Sequence, residues 1–61
     1  MIRVNSETPL EVLRDVKVGN LITDTHSKTG LVEDIEVEDD GYYMLFKYHL
    51  VTGRTILVKK K

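Results

Sequence analysis

The sequence predicts a mainly β protein: a small, partly open barrel of about five short antiparallel strands with one short N-terminal helix. Three observations carry this. Short runs alternating apolar and polar residues recur between turn residues along the 61-residue chain. The last two turns join runs whose apolar positions can be set opposite one another. A sheet this small also has little with which to protect open edges unless it curls on itself.

From the N-terminus, Ile2 and Val4 alternate with polar neighbours and read as a short first strand or an extended arm. Thr8-Pro9-Leu10-Glu11 reads as a helix start, with Thr8 as cap, Pro9 at the first helical position and Glu11 closing a capping box. The helix then runs to about Asp15, with Leu10 and Leu13 toward the core. A strand through Leu10, Val12, Val16 and Val18 is the competing reading, because these also fit a period of two. Val18-Gly19-Asn20 marks a turn, Leu21-Ile22-Thr23 a strand, and His26 to Gly30 a loop. Leu31 to Val37 is strand again, with Val32 and Ile35 three apart, so a bulge near Glu33-Asp34 is needed to put both inward.

Asp40-Gly41 is a two-residue hairpin signal. That loop pairs Asp39 with Tyr42, Val37 with Met44 and Ile35 with Phe46. At Val51-Thr52-Gly53 a two-residue loop would oppose Phe46 to Lys59. A three-residue loop with Gly53 left-handed instead pairs Tyr48 with Ile56 and Phe46 with Val58. The inner face then holds Tyr42, Met44, Phe46, Tyr48, Ile56 and Val58. The whole is one domain, residues 1–61, with 1–8 as arm or strand and 59–61 as a frayed basic tail.

The run Val18-Gly19-Asn20-Leu21-Ile22, followed by Gly30-Leu31-Val32-Glu33-Asp34-Ile35, resembles the opening hairpin of SH3-like barrels, including the KOW-type domains of transcription and ribosomal proteins. Those commonly run Val-Gly-Asp-x-Val, a loop, then Gly-x-Val-x-x-Ile; here Asn20 stands where Asp is usual. The resemblance spans about residues 16–58 and implies a fold. Its members include nucleic-acid binders, protein-binding modules and small subunits of enzymes and photosystems, so it does not choose a function. Small free-standing barrels of this kind are common among bacteriophage and prophage products, which implies such an origin.

Composition narrows the function classes. A chain this short buries only about 60% of the surface its unfolded form exposes, and ligand pockets usually need roughly 300 Å³ or more. A binding module is therefore expected rather than an enzyme. Without cysteine, neither disulfides nor thiolate metal sites supplement the core. No apolar run approaches a membrane span and no signal-peptide pattern opens the chain, so the expectation is a complete, soluble, cytoplasmic protein starting at Met1. No cofactor is expected.

Charge is strongly polarised. Up to Gly41 four basic residues face ten acidic ones, a sum of −6; after it five basic residues face none, a sum of +5. Facing strands of opposite charge would neutralise each other. The acidic run Glu33 to Asp40 lacks calcium-loop spacing and reads as a solvated strand face, or alternatively as an acidic stripe that mimics DNA or docks on a basic protein. His26 and His49, with Asp24 near the first, are too few for a metal site, and Ser6 or Ser27 has no triad context.

The outward side of the last hairpin carries Tyr43, Leu45, Lys47, His49, Thr55, Leu57 and Lys59. Leu45 and Leu57 are apolar where water is expected. Either Ile2, Val4 or the helix covers them, or they form a contact surface. The candidate partner-binding set is Tyr43, Leu45, Lys47, His49 and Leu57, with another protein as partner, in a regulatory or inhibitory role in a bacterial or phage setting. The alternative is nucleic-acid binding through Tyr43, Lys47, Arg54, Lys59, Lys60 and Lys61, against which the net charge of −1 counts. A small structural subunit, or a homodimer through the same patch, would use the same physics.

Overall fold

A computed structural model describes residues 1–60. Along the chain come β1 (Ile2–Arg3), α1 (Leu10–Asp15), β2 (Leu21–Thr23), β3 (Thr29–Asp39), β4 (Met44–Leu50) and β5 (Thr55–Lys60). The strands form one sheet in the order β1-β2-β3-β4-β5. The protein is mainly β, as predicted, but the sheet is mixed: β1 runs parallel to β2, with Ile2 beside Ile22 and Arg3 beside Thr23. The link between them passes through α1, and a crossover of that kind returns the chain in its original direction. Among the described residues β1 and β5 are not neighbours, so the sheet is not closed into a barrel.

The helical reading of residues 10–15 holds. Leu13 and Val16 are buried and Leu10 is half-buried, while Val12 and Val18, which a strand would have turned the same way, are exposed. The expected capping box is absent. Pro9 occupies the cap position with no side-chain hydrogen bond. Thr8 is spent one turn earlier, where its hydroxyl accepts from the Asn5 N–H (3.0 Å) and donates to the Arg3 carbonyl (3.3 Å). That tight reversal out of β1 buries Thr8 with its oxygen turned away from the helix, which has no side-chain cap.

The β3–β4 hairpin corrects a second expectation. Its register sets Asp39 opposite Met44, Val37 opposite Phe46 and Ile35 opposite Tyr48, so its loop is four residues, Asp40 to Tyr43. The Asp39 carboxylate accepts from the Gly41 N–H at 2.9 Å, and that of Asp40 from the Tyr42 and Tyr43 N–H groups at 2.9 and 3.2 Å. Gly41 takes the positive φ that this turn requires. Tyr42, expected on the inner face, stands at the loop tip and is 87% exposed. The bulge lies where the spacing places it, between Val32 and Asp34.

The β4–β5 hairpin has the expected three-residue loop, pairing Tyr48 with Ile56 and Phe46 with Val58, with Gly53 at φ 90°. Lys59 and Lys60 are not a frayed tail; they pair with Leu45 and Met44 as the end of β5. Lys61 lies outside the described residues.

The core sits between α1 and the inner side of the sheet, from Val4, Leu13, Val16, Ile22, Val32, Phe46, Tyr48, Leu50, Ile56 and Val58. Tyr48 is its largest member, and its phenol donates to the Leu13 carbonyl at 2.7 Å, satisfying a polar group at the end of the short helix. Burial pushes the Tyr48 phenol up to about 12, because the ionised form would lose its hydration.

Candidate docking face

Strand alternation decides what the opposite side presents. With Phe46, Tyr48 and Leu50 turned inward, β4 must show Leu45, Lys47 and His49 outward, and register places these between Glu38, Glu36 and Asp34 of β3 and Lys59, Leu57 and Thr55 of β5. Three parallel rows result: acidic on β3, mixed on β4, apolar and basic on β5.

Across the first two rows the charges meet as the sequence suggested. Lys47 Nζ lies 3.0 Å from a Glu38 carboxylate oxygen. This hydrogen bond, reinforced by the charges of Glu38 and Glu36, raises the Lys47 ammonium above its ordinary pKa. His49 bridges two strands, its Nε2 donating to Glu36 Oε1 at 2.9 Å and its Nδ1 3.1 Å from Thr55 Oγ1. At the far end Lys59 Nζ sits 4.1 Å above the Tyr43 ring, a cation–π contact. Asp40, in the same loop, is held under the usual carboxylate range by the N–H groups of Tyr42 and Tyr43.

The apolar positions are open. Neither the N-terminal arm nor α1 folds over Leu45 and Leu57, since Val4 and Leu13 belong to the core on the other side of the sheet. Leu57 is 62% exposed in mid-strand, diagonal to half-buried Leu45, and half-buried Tyr43 lies further along the face under Lys59. A shallow groove of about 250 Å³ runs beside them, lined by Glu38, Asp39, Asp40, Tyr43 and Leu45.

The five residues of the partner-binding set, Tyr43, Leu45, Lys47, His49 and Leu57, are thus brought onto one face. The nucleic-acid set is not brought together to the same degree. Lys47 is paired with Glu38. Lys60 is on the inner side, where its ammonium donates to the Ser6 carbonyl at 3.2 Å. Arg54 is at the opposite end of β5 from Lys59 and Lys60, in a groove shared with Glu33, Asp34 and Glu36. His26 sits in a loop pinned by the Asp24 carboxylate, which accepts from the His26 and Lys28 N–H groups, whereas His49 is in β4. Tyr42 is a residue that the sequence reading assigned to the core and the structure adds to the surface.

No family model, curated protein or solved structure matches the chain. Among the described residues no helix is long and apolar enough to cross a membrane.

Proposed function

We propose that this chain is a non-enzymatic binding module that docks on another protein through the outer face of β4 and β5, as a regulator or inhibitor in a bacterial or phage setting. The observation that carries the reading is Leu57, 62% exposed at the centre of a regular strand, with half-buried Leu45 diagonal to it across the β4–β5 ladder. The polar groups around this patch already satisfy one another in the plane of the sheet, through the Lys47–Glu38 ion pair and the His49–Glu36 hydrogen bond. Such a surface gains most from a partner that covers apolar area, with a polar rim that loses little on contact. A phosphate backbone is less well served, because Lys47 is already held 3.0 Å from the Glu38 carboxylate and Glu36 is its partner on the neighbouring strand. The proposal includes an SH3-like kinship, supported by the antiparallel meander of β2 to β5 and by the Gly19 turn ahead of β2.

The test is affinity capture from nuclease-treated bacterial lysate with the wild-type chain and with a Leu45→Asp, Leu57→Asp double variant whose fold is checked by circular dichroism. The expected result is a protein retained by the wild type and lost by the variant. Identical captures from both would remove this face from consideration. Amide shifts at Tyr43, Lys47, Arg54 and Lys59 on adding a mixed-sequence oligonucleotide would replace protein docking with nucleic-acid binding.

A further inference from the structure

We infer that β5 is a strand-accepting edge, and that its occupant is an extended acidic segment of a partner protein that adds to the sheet as a sixth strand. The inference rests on the docking reading above and specifies the partner's chemistry.

The hydrogen-bond parity of the last hairpin sets the geometry. The Leu50 N–H donates to the Arg54 carbonyl at 2.8 Å, which makes that pair a bonded one. Bonded and unbonded pairs alternate along an antiparallel ladder. Ile56, Val58 and Lys60 therefore turn their backbone groups toward β4, and Thr55, Leu57 and Lys59 turn theirs away. Among the described residues β4 is the only strand beside β5, and no turn or loop backbone bond reaches this edge. The Thr55 carbonyl accepts from Lys28 Nζ at 3.4 Å; among the described residues the N–H and C=O of Leu57 and Lys59 have no backbone partner.

Folded proteins blunt such an edge with charged side chains, lysine above all, or with changes to the backbone itself: proline, a bulge or a very short strand. β5 has none of the backbone changes: it is six residues long, without proline and in unbroken register with β4. What it carries is charge of one sign, Arg54, Lys59 and Lys60 with no carboxylate among residues 54–60. Two copies pairing edge to edge would bring these cations against each other; pairing about Leu57, for instance, sets Lys60 of one copy opposite Arg54 of the other. An acidic strand meets the opposite situation. Whichever face its carboxylates take, they find a cation, Lys59 on the outer side or Lys60 on the inner, while its β-branched residues extend the apolar rows of Leu57 or of Ile56 and Val58. Backbone bonds supply affinity in this mode of recognition and alternate side chains supply selectivity.

The experiment titrates the isotope-labelled full chain with the peptide acetyl-Glu-Val-Glu-Ile-Glu-Val-amide, and separately with its counterpart carrying lysine for glutamate. Binding of the acidic peptide should slow amide exchange at Leu57 and Lys59 far more than at Ile56 and Val58, whose N–H groups are already bonded. Leu57→Pro, which removes an edge donor, should weaken binding by about tenfold. The paired change Lys59→Glu and Lys60→Glu keeps every edge donor and should reverse the preference toward the lysine peptide, so the inference stays testable if the proline variant fails to fold. Unchanged exchange at Leu57 and Lys59, equal binding of both peptides, or a peptide-free dimer in sedimentation would overturn it. A silent peptide with a Leu57-sensitive capture removes strand addition and keeps docking; a bound peptide with no such capture does the reverse.

Discussion

The two faces of the β3–β4–β5 sheet are built on the same alternation and stabilised by different means. The inner face excludes water: Phe46, Tyr48, Ile56 and Val58 are almost wholly buried, and the one polar group taken inside, the Tyr48 hydroxyl, has a carbonyl partner. The outer face keeps its water and satisfies itself sideways, strand to strand, through Lys47 with Glu38 and His49 with Glu36. Burial contributes far more per residue than exposed ion pairs do. Stability therefore belongs to one face, and the other is left free to hold an apolar side chain in solvent where it serves contact rather than folding.

The difference should be largest at Phe46. Phe46→Ala removes a buried ring from a small core and is expected to cost about 3–5 kcal/mol, enough to abolish a cooperative thermal transition in a domain of this size. A retained transition within a few degrees of wild type would mean that the inner face repacks and that the contrast is weaker than drawn here.

Tyr48→Phe should have a middle-sized effect, about 1–3 kcal/mol at neutral pH, because the Leu13 carbonyl loses its donor in a buried place. It should also change the alkaline limb of the stability profile. The folded phenol is raised to about 12 against an ordinary 10.0, so the native state holds the proton more tightly than the unfolded chain does. This contribution is fully present below about pH 10 and is lost as pH rises toward about 12. Urea titrations across that window should show wild type declining more steeply than the phenylalanine variant; parallel declines would indicate that the phenol is hydrated in solution.

On the outer side, Lys47→Ala and Leu57→Ser should each leave the thermal midpoint within the scatter of wild type, since exposed pairs and exposed apolar groups contribute little. A clear loss for Leu57→Ser would reveal that something in this chain covers the position, and would make the face structural.

How much of this was legible in the residues depended on how many arrangements their pattern allowed. Gly53 and the apolar set Phe46, Tyr48, Ile56 and Val58 agree on one three-residue loop, so that hairpin could be read in full. At Asp40-Gly41 a two-residue and a four-residue loop put the same side chains on the same faces, because they differ by one full strand period. Hydrophobic pattern cannot choose between them; the Asp39 and Asp40 carboxylates do, by capturing three N–H groups of a wider turn. Thr8 misled because its hydroxyl is turned back toward β1, accepting from Asn5 and donating to Arg3, and not forward to the helix. The parallel pairing of β1 left no trace in a strand of two residues. For the candidate face, the cross-strand neutralisation followed from the charge asymmetry. The exposure of Leu57 did not, because it turns on which side of the sheet Val4 and Leu13 are drawn to, and that is settled by the whole core.

The bulge between Val32 and Asp34 also bears on what lengths of chain this fold can accept. Elsewhere in the β3–β4 ladder, losing one residue would exchange the two faces beyond the cut and drive carboxylates into the core. At Glu33 the strand already holds one residue more than its partner spans, so a deletion there would straighten β3 and leave every later side chain on its present face. The acidic hairpin can thus be shortened at its base without being turned over, an allowance for insertion and deletion located in the middle of a strand rather than in a loop.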